Sequence, residues 1–379
     1  VRALSRLPPD ERPRLTLFCR GSTSLFDEVC GLVDRVVVYE SPLDRIARGT
    51  RFAVDAERVQ AFVGSALLGE AAPDVAREAR REGVEAIFPA MKASARRLPT
   101  PIAWIPDLQH RVLPELFSRW ARAAADRDFQ KMLRDPGRHV VFSSASAMAD
   151  AMRAYGRPRA AAHVLQFTTV PLPHWSQDPA PFVSRYALPP RYYIVCNQFW
   201  VHKDHLTAFR AVAKLKRRGM RVDLVCTGPT HDSRHSDFFP WLEVQIKALA
   251  IEEQIHILGT IPRVDQVCLM RAARAVLQPS RFEGWSTVLE DARAVGKEVI
   301  ASDFPVHLEQ EVPGSSFFRM GDADDCARAI AAHLEHDREQ DGSMPTASHD
   351  LTILRFARAF MAIVDAALGR RIPSAGSTH

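Results

Sequence analysis

No apolar stretch in the 379-residue sequence approaches the roughly 20 residues needed to cross a bilayer, so nothing in it reads as a spanning helix. Its first residues lack the pattern of a secretory signal. Cysteine is sparse: Cys19, Cys30, Cys196, Cys226, Cys268 and Cys326 include no Cys-x-x-Cys spacing. That argues against a zinc ribbon or a disulfide framework and fits reduced thiols in a cytoplasmic protein. No helix-turn-helix, zinc finger or aromatic-basic sheet motif is present, so nucleic acid is not an expected partner. Also missing is the opening strand and glycine turn with which a doubly wound domain begins. The chain starts Val1-Arg2-Ala3-Leu4-Ser5-Arg6-Leu7, without Met, and this reads as the tail of a first helix. The expectation is a front domain without its first strand, belonging to either a fragment or a degenerate copy.

What is there is ordinary for a soluble enzyme: 46% hydrophobic and 25% charged residues, in a chain long enough for two domains. The net charge is +5. The excess lies in the first 180 residues, which hold 26 Lys and Arg against 21 Asp and Glu, while the rest holds 24 of each. Arg77, Arg80, Arg81, Lys92, Arg96 and Arg97 cluster there. Two readings stand, a solvated basic face and a weak peripheral contact with anionic lipid on the inner face of a membrane.

Short apolar runs alternate with longer amphipathic segments, the pattern of α/β doubly wound sheets. Strands are expected at 15–19, 36–39, 86–89, 102–105 and 139–142, and again at 192–196, 221–226, 255–258, 275–277 and 298–301. Between the two sets, residues 171–190 are proline-rich, as a linker is. The division expected is a front domain over 1–175, a linker over 176–190 and a second domain over 191–350. A terminal helix over 351–369, packing back towards the front domain, and a disordered tail over 370–379 complete it.

The most informative segment runs from Arg274 to Gly296. An apolar strand ends at Pro279, a small polar turn follows, and Thr287 with Glu290 three residues later predicts a capped helix. Glu283 then sits in the loop after the strand, and Asp291 sits within the first turn and a half of the helix. Helix-start amides, here near Ser286 and Thr287, suit an anion such as a diphosphate. Two carboxylates around such a place suit a ligand with hydroxyls on both sides of a diphosphate. A nucleotide sugar is such a ligand.

This stretch, with Pro279-Ser280-x-x-Glu283-Gly284 and an acid eight residues after Glu283, resembles the signature of family 4 glycosyltransferases of the GT-B fold. These include bacterial polysaccharide and lipopolysaccharide hexosyl- and mannosyltransferases. The resemblance implies two Rossmann-like domains facing each other across a cleft, and retention of anomeric configuration. It implies no cofactor and no obligatory metal. Carried over, Glu283 holds the donor sugar's hydroxyls and Asp291 falls at the acid that binds the ribose. The second acid is Asp, one methylene shorter than the family's Glu, which leaves Asp291 and neighbouring Glu290 both open for that role.

Other segments extend the likeness. Asn197-Gln198-Phe199-Trp200-Val201-His202-Lys203-Asp204 matches the place of the family's diphosphate-binding Lys, with Lys203. Gln198 stands where the family has Arg. Val225-Cys226-Thr227-Gly228 resembles the family's apolar-Thr-Gly strand end, and Gly259-Thr260-Ile261-Pro262-Arg263 resembles the loop that contacts the base. Arg263 reads either as a phosphate contact or as a surface arginine. In the front half, Pro106-Asp107-Leu108-Gln109-His110 resembles the acceptor-side loop, with His110 the remaining imidazole, and the competing reading is a polar turn at Asp107. The function implied is transfer of a hexose from a UDP- or GDP-linked donor to a saccharide or lipid-linked saccharide. An epimerase or phosphorylase of the same architecture, or an inactive fragment, is the alternative.

Overall fold

The structure is a computed structural model that describes residues 1–20, 27–39, 73–91, 98–232, 234–336 and 347–370. Lys92, Arg96 and Arg97 of the basic cluster, and the tail after Arg370, lie outside the described residues. The chain divides into two compact units, one of Val1–Gln166 with Ile353–His379, the other of Phe167–Thr352.

In the first unit, β1 (Thr16–Arg20) and β2 (Arg35–Tyr39) form a parallel pair. A separate parallel sheet holds β3 (Ile87–Ala90), β4 (Pro101–Ile105), β5 (His139–Phe142) and β6 (Ala161–Val164) in sequential order. The helix Ala145–Tyr155 follows β5, with the Ser144 hydroxyl accepting from the Ala147 amide at 3.0 Å as an N-cap. Ile363 of the terminal helix Ala347–Ala367 is buried with Ile102, Val141 and Leu165, and Phe356 and Phe360 pack on that cluster.

The second unit carries a six-stranded parallel sheet: β7 (Tyr193–Val195), β8 (Leu224–Thr227), β9 (Ile255–Gly259), β10 (Val276–Gln278), β11 (Val299–Ser302) and β12 (Ser316–Phe318). Their order is β12-β11-β10-β7-β8-β9, the doubly wound order of a nucleotide-binding fold. β7, β8, β10 and β11 are buried at every position, as strands covered on both faces must be. This is why they were readable as plain apolar runs. β6 and β12 were not expected from the sequence. Both are edge strands, and Ala161-Ala162-His163-Val164 and Ser316-Phe317-Phe318 give short and mixed signals.

Within the proline-rich stretch, Pro173–Ser176 and Ala180–Arg185 form short helices. Their Trp175 and Phe182 are buried in the second unit's core with Tyr192, Leu269 and Val276.

Gly228, just past β8, has φ +134° and lies against the chain leaving β7. A Cβ there would run into the Asn197 carbonyl, and would meet the Gln198 nitrogen at 2.9 Å. Backbone bonds knit the same place: Phe199 N–H donates to the Pro229 carbonyl at 2.9 Å and Gly228 N–H to the Gly259 carbonyl at 2.8 Å. Gly228→Ala is therefore expected to cost about 1–3 kcal/mol of stability through strain and backbone displacement. Urea unfolding reads this, and an unchanged midpoint and slope contradict it.

Candidate active site

The strand order reverses between β7 and β10. Ligands of open α/β sheets bind in the crevice outside the carboxyl ends of the strands at such a reversal. Here β7 leads into Asn197, Gln198 and the single turn Val201–Lys203, while β10 leads into Pro279, Ser280 and the loop before the helix Thr287–Ala294. The Arg281 amide donates to the His202 carbonyl at 2.8 Å and joins the two loops.

That junction places Lys203 Nζ 2.7 Å from Glu283 Oε1, with side-chain exposures of 11% and 10%. Gln278, fully buried at the end of β10, donates through Nε2 to the same Glu283 oxygen at 2.9 Å and accepts from Asn197 Nδ2 at 2.9 Å. Burial is the largest influence on Glu283 and opposes its charge, but the Lys203 ammonium, His307 and the hydrogen bonds from Lys203 and Ser280 together prevail, and the carboxyl stays below its ordinary range. His202 and His205 are buried and neutral, pushed down to about 4 and about 3 by desolvation and then by Lys203. His205 stacks on Phe199 with ring centroids 4.2 Å apart. Among the described residues, no three His, Cys, Asp or Glu side chains gather where they could hold a metal ion.

Asp291 is buried on the helix Thr287–Ala294. Its Oδ1 accepts from Thr169 Oγ1 at 2.9 Å and lies 2.5 Å from Arg263 Nη2. Burial dominates and leaves its pKa raised in spite of Arg263.

The capping box expected from Thr287 and Glu290 does not form. Ser286 is the N-cap, and Thr287 is the first helical residue. Gln310, 24 residues further on, accepts the Ser286 N–H through Oε1 at 2.8 Å and donates to the Ser286 carbonyl at 2.9 Å. It thereby fills the place a capping-box Glu would take. Glu290 accepts instead from Gln310 Nε2 at 3.1 Å and lies 3.6 Å from Arg293 Nε. The Ser286 amide is thus occupied, and Thr287 and Val288 are the helix-start residues whose amides an α-helix leaves without an internal partner.

A cavity of about 200 Å³ lies among these segments. It is lined by Gln198, Lys203, Gly228, Arg263, Glu283, Ser286, Thr287 and Asp291, with Asn197, Gln266 and Val288. Gly284 and Glu290 are sequence neighbours that do not line it. Sequence reasoning missed Gln278, Gln310 and Thr169. Gln278 left one signal, a lone amide ending an apolar strand, whereas the other two reach the site only through tertiary packing.

Residues 177–346 match the family glycosyl transferases, group 1. The matched segment contains Lys203, Glu283, Asp291 and the whole lining of the cavity. No curated protein sequence matches the chain. Among solved structures, Anabaena HepE in complex with UDP and glucose is 18% identical with a TM-score of 0.66, over 96% of this chain and 94% of that one. A glycosyltransferase from Rickettsia africae is 14% identical at 0.61, over 94% and 98%. WaaG, a glycosyltransferase involved in lipopolysaccharide biosynthesis, is 12% identical at 0.58, over 93% and 98%. Such likenesses show the fold, which is the GT-B architecture expected from the sequence.

Outside the matched segment, His110 and Asp107 belong to the first unit. Asp107 Oδ1 accepts from the Gln109 amide at 2.8 Å and starts the turn Gln109–Val112. His110 is 5% exposed, and its Nε2 lies 3.0 Å from Asp126 Oδ1 and 3.1 Å from Tyr155 Oη. Arg111 Nε and Tyr155 Oη also donate to that Asp126 oxygen, at 2.7 and 2.6 Å. Burial works against the carboxylate, but the hydrogen bonds from Tyr155, Arg111 and His110 prevail and hold its pKa below the usual range. A depressed folded pKa gives stability that is present above the unfolded value and lost as pH falls through the folded one. Asp126→Asn is accordingly expected to be less stable than the parent at pH 7. The gap should narrow as pH falls from about 4, the ordinary Asp value, which chemical denaturation across that range measures. A gap independent of pH contradicts the network.

Proposed function

We propose that the chain transfers a hexose from a UDP- or GDP-linked donor to a hydroxyl of a saccharide or lipid-linked saccharide, with retention, as a family 4 glycosyltransferase. The observation that carries the reading is one cavity lined by Glu283, Lys203, the helix-start residues Thr287 and Val288, and Asp291. In this reading Glu283 orients the sugar through its hydroxyls. Lys203 and the helix-start amides meet the diphosphate, whose negative charge grows as the glycosidic bond breaks. Asp291 accepts from the ribose hydroxyls. Gly228 keeps the backbone of the adjoining wall close, and no cofactor or metal enters the scheme.

The UDP, glucose and UDP-glucose complexes of HepE support a nucleotide-sugar donor, and the biosynthetic role of WaaG supports a saccharide acceptor. A cytoplasmic enzyme resting on the inner membrane face fits the basic first unit. Trp120, 87% exposed beside exposed Arg119, supports that contact. Among the described residues no helix is long and apolar enough to cross a membrane.

Glu283→Ala is expected to lower transfer at least tenfold, since a hydrogen bond to a charged group contributes about 1.5–3 kcal/mol. Near-normal turnover of donor and acceptor in that variant sinks the assignment. A second measurement separates the two acids of the helix. Asp291→Asn should weaken nucleoside diphosphate binding in calorimetry. Glu290→Gln, inside the Gln310 and Arg293 network, should lower only stability, by about 1 kcal/mol. Affinity controlled by Glu290 reverses the assignment.

A further inference from the structure

The cavity's charged lining consists of two cations, Lys203 and Arg263, and two acids, Glu283 and Asp291. Each cation is paired with one acid, Lys203 with Glu283 at 2.7 Å and Arg263 with Asp291 at 2.5 Å. The lining is therefore formally neutral, and Gln198 adds no charge. A diphosphate entering this place needs cations that leave their acids. A ligand carrying hydroxyls beside the phosphates allows that exchange, because hydroxyls donate to carboxylates while phosphate oxygens accept from cations.

Arg263 is arranged to make such an exchange. It is the first residue of the helix Arg263–Ala272, and its side chain is 45% exposed whereas that of Asp291 is 3% exposed. The guanidinium lies over the Trp175 ring, its carbon 5.2 Å from the centroid, and donates to Gln266 Oε1 at 2.7 Å. Trp175 is buried and fixed, so a planar guanidinium can shift across its face and keep the stacking contact. Asp291 retains the Thr169 hydroxyl as a donor when Arg263 moves, so its buried charge is not stranded.

Resting on the nucleotide-sugar reading above, we infer that Arg263 is the second diphosphate-binding cation of this site. It is held on Asp291 until the ribose hydroxyls take over that carboxylate. Arg263 thereby supplies from the start of another helix the charge that Gln198 does not. The ion pair also acts as a selectivity filter: a ligand with phosphates but no adjoining hydroxyls has to break the pair without satisfying Asp291.

A double-mutant cycle tests this in the intact chain. UDP, GDP and ADP are titrated calorimetrically, and the tightest of the three is then titrated into Arg263→Gln, Asp291→Asn and the double variant. Arg263→Gln is expected to weaken binding on the order of tenfold. If the pair breaks on binding, each single variant already escapes the cost of breaking it, so the double variant loses more than the product of the two single losses. A pair that persists in the complex gives the opposite sign, with the double variant no worse than the poorer single one. That result, or parental affinity in Arg263→Gln, overturns the inference while leaving the donor reading intact. Failure of the parent chain to bind any of the three nucleotides overturns the donor reading itself, and the inference with it.

Discussion

The site depends on a buried polar link between the two central strands of the second unit. Gln278 at the end of β10 joins Asn197 at the end of β7 to Glu283, and Glu283 meets Lys203. Every member lies where the strand order reverses, so the link converts a topological gap into a fixed constellation. A buried amide with unmet bonds costs about 1–3 kcal/mol, so this arrangement is stable only with all its partners in place. Glu283 stays ionised in spite of burial because Lys203, with His307 and Ser280, together outweigh desolvation.

Balanced charge is the second constraint. A cavity whose acids are each paired with a cation strands no lone buried charge without ligand, yet it can reorganise around a ligand that offers donors and acceptors in matching places. The two pairs differ in a way that fits different tasks. Lys203 and Glu283 are both nearly enclosed, whereas Arg263 stands half in solvent on an aromatic platform. The first pair is the more tightly held, and the second is the readier to exchange its partner.

Much of this was legible in the sequence because doubly buried parallel strands write themselves as continuous apolar runs. β7, β8, β10 and β11 were readable within two or three residues for that reason. Glu283, Lys203 and Gly228 stood in the loops just past such runs, and Asp291 in the first turns of the helix that follows β10. The capping box at Thr287 was misread because local pattern cannot see Gln310, which arrives from another helix and takes the Ser286 amide. His110 carried a functional look in its loop, but its surroundings, Asp126 and Tyr155, are 16 and 45 residues away. The edge strands β6 and β12 are short and mixed in composition, so their signal was too weak to read.

Hydrogen exchange of the intact chain with and without UDP tests the central claim most directly, since it reports where a nucleotide is felt without presuming which side chain holds it. The account predicts slowed exchange in the segments around 197–203, 227–229 and 283–291, three of the four segments that line the cavity with the stretch at 263–266, with strands β7 and β10 unchanged. Protection confined to other segments, with these three unaffected at saturating UDP, would contradict it.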